Sequence, residues 1–257
     1  MDNDLDFFDC NVAIGLPMNR PEGPLHAPPA TVAQLLPHLD RAGISRALVW
    51  HVAQRDNSAQ TGNELLAQAI AGQDRLVGCW TLLPDQCGEP GDLETFLVCA
   101  KKARVRAFRV FPGSQRFLLR REVVGAVLDR LVAARLPLLL RVPGDASWEA
   151  TYDLLRETPE LTLVLADMGC WGNDRLFRPL LDRYPNVHIE TSGHIVDGGL
   201  EDFVERYGSA RLLFGSGFPA AYLGAMMLAV ARAELTPEDR RAIAGGNLER
   251  LLAAARW

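Results

Sequence analysis

The sequence predicts an α/β protein: a single (β/α)8 barrel (TIM barrel) spanning residues 1–257, with additional helices at its C-terminal end. Three observations carry this. The chain has 257 residues, the usual size of one such barrel. Short apolar runs alternate with amphipathic stretches from end to end, eight of each, and only a pair of C-terminal helices is left over. Many of the apolar runs are continuous and rich in Leu or β-branched residues, as expected of strands covered on both faces.

Taken in order, the first strand is expected at 5–11. A loop at 16–29 follows, stiffened by Pro17, Pro21, Pro24, Pro28 and Pro29, and is expected to lie across the barrel mouth as a partial lid. The next units pair strand 45–51 with the preceding helix 31–42, and helix 62–72 with strand 76–84. Thr61-Gly62-Asn63-Glu64 reads as a capping box for the second helix, its Glu reaching back to the Thr amide. Helix 92–103, strand 105–112, a second long loop at 112–120, helix 121–135 and strand 136–142 come next. Helix 147–157, strand 161–168, helix 175–184, strand 187–192, helix 200–207, strand 211–217 and helix 220–233 complete the ring. Thr236-Pro237-Glu238-Asp239 supplies an N-cap, a proline at the first helical position and acids in the first turn. Gly245-Gly246 is expected to end that helix, and Asn247 to cap the last one.

A net charge of −5 and the lack of any basic run argue against a nucleic-acid partner. No apolar run reaches the roughly 18 residues that cross a bilayer, so no membrane partner is expected. The acidic start Met1-Asp2-Asn3-Asp4 lacks the pattern of a secretion signal. Cys10, Cys79, Cys87, Cys99 and Cys170 are odd in number and show no CxxC spacing. They read as free buried thiols in a cytoplasmic protein, with no zinc–thiolate site.

Active sites of this fold sit at the C-terminal ends of the strands. The strand-end polar residues are Asp9, Asn11, His51, Trp80, Arg109, Arg141, Asp167, Thr191, Ser192, His194 and Ser216. Several segments around them resemble the amidohydrolase-related barrels, from about residue 7 to the end. Asp9-Cys10-Asn11-Val12-Ala13 stands where that family has Asp-x-His-x-His. Leu136-Pro137-Leu138-Leu139-Leu140-Arg141, Leu163-Val164-Leu165-Ala166-Asp167-Met168-Gly169, Arg211-Leu212-Leu213-Phe214-Gly215-Ser216-Gly217-Phe218-Pro219 and Gly245-Gly246-Asn247-Leu248-Glu249-Arg250-Leu251-Leu252 are similar to further family motifs.

The resemblance implies a divalent metal held by four histidines and an aspartate. Here those five positions are Asn11, Ala13, Arg141, Asp167 and Gly217. A guanidinium presents only donors and repels a second cation. No metal and no other cofactor are therefore expected.

Arg141 and Asp167 end neighbouring strands, with Leu139 and Leu163/Leu165 on their respective faces. They are expected to pair across the mouth, the guanidinium replacing the metal charge. That pair is either structural or part of a site in which Arg141, with Arg109, grips the carboxylate of a small ligand. Asp167 and His51 are the candidate general bases. Asn11, Trp80, His194 and Ser216 are further candidate binding residues. His188 reads as structural, and His26 and His38 as solvated. Cys10 is expected to face the helices, and Ser216 sits in no nucleophile elbow. Three functions remain open: a metal-independent hydrolase or lactonase on a small carboxylated substrate, a non-catalytic ligand-binding or scaffold descendant, and a cofactor-free lyase or isomerase. A homodimer is compatible with all three.

Overall fold

A computed structural model describes residues 5–18, 29–169, 172–194 and 196–257. Eight parallel strands follow one another in sequence order around a barrel. They are β1 (Phe7–Ile14), β2 (Ile44–His51), β3 (Leu76–Thr81), β4 (Val105–Arg109), β5 (Leu138–Arg141), β6 (Leu163–Ala166), β7 (Val187–Glu190) and β8 (Leu212–Leu213). The seam between last and first strand is closed by Cys10 N–H donating to the Phe214 carbonyl at 2.8 Å.

The helices are α1 (Val32–Ala42), α2 (Ala53–Asp56), α3 (Ala59–Ile70), α4 (Leu93–Lys102), α5 (Pro112–Gln115), α6 (Arg121–Ala134), α7 (Trp148–Glu157), α8 (Asp174–Arg183), α9 (Gly199–Tyr207), α10 (Leu223–Arg232), α11 (Pro237–Arg241) and α12 (Asn247–Ala253). Two short ones, α2 and α5, lie inside segments expected to be loop. None of the helices is long and apolar enough to cross a membrane.

Two apolar layers result from the alternation of side chains along the strands. Phe7, Val12, Val49, Phe108, Leu138, Leu140, Leu163 and Leu165 face the helices. Phe8, Cys10, Leu48, Trp50, Cys79, Ala107, Leu139, Val164 and Leu213 fill the barrel, and Leu248 of α12 joins them. Cys10 thus lies inside, not against the helices. It shares the inner side with Phe8 by plain alternation, and a bulge then brings Asn11 to the same side: Asp9 pairs with Ala47 but Val12 with Val49, so β1 spends one extra residue there. Cys99, by contrast, is exposed on α4.

Two helix starts differ from expectation. Ser58, not Thr61, caps α3, its hydroxyl accepting from Thr61 N–H. Thr236 does cap α11. Gly245 and Gly246 do not stop the chain: a π-helical turn over Ala242–Gly246 carries it straight into α12. Asn247 is not a cap either; its amide donates to the Ser209 and Leu212 carbonyls, tying α12 to β8. His26, Cys170 and most of the proline-rich loop lie outside the described residues.

Candidate active site

At the mouth, Asn11, Arg109 and Asp167 form one hydrogen-bonded unit. The Asn11 Nδ2 donates to Asp167 Oδ1 at 2.6 Å, and its Oδ1 accepts from Arg109 Nη1 at 2.8 Å. Arg109 Nη2 closes the triangle with Asp167 Oδ2 at 3.4 Å. Arg109 is wholly buried. Its guanidinium lies over the Trp50 ring at 4.6 Å and the Phe111 ring at 5.5 Å, so aromatic faces replace its lost hydration. The Asp167 side chain keeps 32% of its surface in solvent. It is the part of the unit that a reactant can touch.

The expected Arg141–Asp167 pair does not form. Leu163 and Leu165 face the helices, and strict alternation would send Asp167 the same way. Asp167 instead has φ +52°, a left-handed conformation just past the end of β6, which turns its carboxylate into the mouth. Arg109 on β4 is the cation that meets it. Arg141 pairs with Asp145 in the turn after β5, at 3.4 Å, and 38% of its side chain remains exposed.

Beneath Asp167 lies Glu190, which the sequence reading passed over. It is fully buried at the end of β7. Its carboxylate accepts from the Asp167 backbone N–H, from Ser192 N–H at 2.8 Å and from the Ser192 hydroxyl at 2.5 Å. Desolvation first, and the neighbouring Asp167 charge second, push its pKa up to about 7. Gly215 makes room for it: a Cβ there would stand 1.9 Å from Glu190 Oε2. An acid closing the short, buried strand Val187–Glu190 was the available signal.

Asp9 is equally buried and its pKa is raised by desolvation, against the lowering effect of donors on Ser216 and Asn11. Ser216 donates its N–H to Asp9 Oδ1 at 3.1 Å and is itself buried, so it braces Asp9 and does not face the mouth. His51 is half-buried; its Nδ1 accepts from Ala53 N–H at 3.1 Å, and burial lowers its pKa. It caps its own loop. His194 is buried against Phe203 of α9 with its Nε2 2.9 Å from the Gly199 carbonyl. Trp80 belongs to the helix-facing layer and packs on Phe96 at 5.4 Å, not at the mouth. His188 is buried inside the barrel wall, its pKa lowered by desolvation to about 4.

These residues do not fit a divalent cation. The two oxygens that could ligate one, on Asn11 and Asp167, both accept from the same Arg109 guanidinium. Gly217, at the aspartate position, has φ +67°, and a Cβ there would meet the Ser192 Cβ at 3.0 Å. Among the described residues no group of three or more His, Cys, Asp or Glu side chains is placed to hold a metal.

A sequence profile of the Amidohydrolase family matches residues 14–253. The chain therefore belongs to the amidohydrolases. No functionally curated protein matches it. Among solved structures, a 2,6-dihydroxybenzoate decarboxylase from Rhizobium superposes with a TM-score of 0.74 at 17% identity, covering 97% of this chain and 99% of its own. A probable 2-pyrone-4,6-dicarboxylic acid hydrolase from Acinetobacter baumannii, with citric acid bound, gives 0.70 at 18%, covering 97% and 100%. A dihydroxybenzoic acid decarboxylase from Polaromonas, with manganese and 2-nitroresorcinol, gives 0.73 at 17%, covering 97% of each chain. At such identities these likenesses establish the barrel.

Proposed function

We propose that the protein is a metal-independent hydrolase acting on a small carboxylated ester or lactone. The observation that carries this is the Asp167 carboxylate, turned into the mouth and oriented by Asn11 and Arg109 while still a third exposed. Asp167 is the general base. It takes one proton from a water whose oxygen bonds to the ester carbonyl carbon. The C–O bond then breaks, and the departing oxygen takes that proton from Asp167. Arg141, half-exposed and held by one long contact to Asp145, supplies the fork for the substrate carboxylate. Arg109 is buried and engaged, so it positions Asp167 and carries the fixed positive charge of the site.

The neighbours support the substrate class. One is a decarboxylase complexed with 2,6-dihydroxybenzoate, another a probable hydrolase of a dicarboxylic acid. A lyase would use the same carboxylate grip, and the two chemistries differ in product: hydrolysis of a lactone releases a proton and no carbon dioxide.

The test is a panel of carboxylated lactones, esters and hydroxybenzoates, offered to chelator-treated protein and read by both proton release and carbon dioxide. Asp167→Asn is expected to lower kcat by about 100-fold or more, the usual worth of a positioned base. Arg141→Met is expected to raise KM about tenfold or more with a smaller effect on kcat. Turnover by Asp167→Asn at the wild-type rate sinks the assignment. Carboxylate binding without turnover across the panel would favour the non-catalytic descendant instead.

A further inference from the structure

Outside the barrel wall, between α3, α4 and the loop joining β3 to α4, lies a cavity of about 390 Å³. That volume is within the range of small-molecule sites. It is separate from the mouth and shares no residue with the Asp167 unit. Its aromatic wall is built by Trp80 and Phe96, whose rings stand 5.4 Å apart and tilted by 51°. Trp80 is the strand-end residue that faces away from the mouth, and its indole N–H is buried without a partner among the described residues. The charges along the lining are all negative, from Glu64, Glu89 and Asp92, with no Lys or Arg. Asp92 is engaged in capping α4 through Thr95. The exposed Cys99 thiol belongs to the same lining.

We propose that this cavity is a second small-molecule site, selective for planar uncharged molecules. The rings supply an apolar slot for a flat molecule. The acidic rim rejects carboxylates by like charge. The two sites of the molecule thus sort ligands by charge: carboxylates at the mouth on Arg141, neutral aromatics at the acidic flank beside Trp80.

Benzamide and benzoate, matched in shape and differing in charge, test this on the whole protein. Indole N–H resonances of ¹⁵N-labelled protein, assigned with Trp80→Phe and Trp50→Phe, give one reporter per site. Benzamide is expected to shift the Trp80 resonance saturably, with a Kd on the order of 1 mM, as befits so small a molecule. Benzoate is expected to leave that resonance unmoved. Cys99→Phe, on the exposed face of α4, fills the cavity and is expected to weaken benzamide binding about tenfold or more while the other indole resonances keep their positions. The inference is overturned if benzamide leaves Trp80 unmoved in protein with a folded spectrum. It is also overturned if benzoate shifts Trp80 as strongly, or if Cys99→Phe binds benzamide as the wild type does. None of these outcomes bears on turnover at the mouth, so this site and the hydrolase assignment stand or fall separately.

Discussion

Asp167 reaches the mouth only because its backbone leaves the extended region, and Glu190 is what holds it there. The Glu190 carboxylate accepts the Asp167 N–H, so one buried acid fixes the direction of a partly exposed one. Burial lets Glu190 keep its proton up to about pH 7, whereas an unfolded chain releases it near 4.5. The folded state therefore binds more protons across that interval, and this residue makes stability fall as pH rises from about 4.5 to 7. His188 acts in the opposite sense. Its folded pKa is about 4 against 6.5, so its contribution makes stability rise with pH over that window. In the wild type the two slopes offset each other. Glu190→Gln keeps an acceptor for the Asp167 amide but removes the titration. Urea unfolding between pH 4.5 and 7 should then show stability rising with pH more steeply than in the wild type; equal slopes would refute the account. Asn11, Arg109 and Asp167 were legible as strand-end polar residues. Their pairing was not, because φ at Asp167 is a property of the folded chain, and strand alternation pointed Asp167 the wrong way.

Elements show the same division. The apolar runs marked all eight strands, since strands covered on both faces have little alternative composition. A bulge leaves no such trace, because the extra residue in Asp9–Val12 changes the register and not the hydrophobicity. It nevertheless puts Asn11 on the same side as Cys10, within reach of Arg109. Caps were read correctly where one candidate stood alone, as at Thr236, and misread where two competed. Ser58 and Thr61 both precede an apolar stretch, and the chain begins its helix at the earlier one. Removing a true cap costs about 1 kcal/mol, whereas a surface hydroxyl past the cap costs less than about 0.5 kcal/mol. Ser58→Ala should therefore lower the denaturation midpoint, and Thr61→Ala should leave it nearly unchanged. The reverse order would return the helix start to Thr61.

At the scale of the whole molecule, the barrel is the one its structural neighbours share, and its mouth holds a buried guanidinium. Four strands deliver Asn11, Arg109, Asp167 and Glu190 to one region, and the guanidinium is hydrogen-bonded to the oxygens of Asn11 and Asp167. A resident divalent ion would have to displace that guanidinium from Asn11 and Asp167 and strip it of both hydrogen-bonded partners while it stays buried against Trp50 and Phe111. Taking the hydrogen-bonded partners from a buried ion costs several kcal/mol. Chelator-dialysed protein should therefore melt at the same temperature with and without 1 mM manganese or zinc. A site of about 1 μM affinity would add about 4 kcal/mol at that concentration and raise the melting temperature by roughly 10 °C. Such a rise, or about one metal ion per chain in the protein as purified, would show that Arg109 yields its place. It would also make Asp167 a ligand and remove it as the base. Asn11→His tests the same point from the other side. It restores one imidazole at the mouth but leaves Arg109 in place, so it should confer no stabilisation by metal.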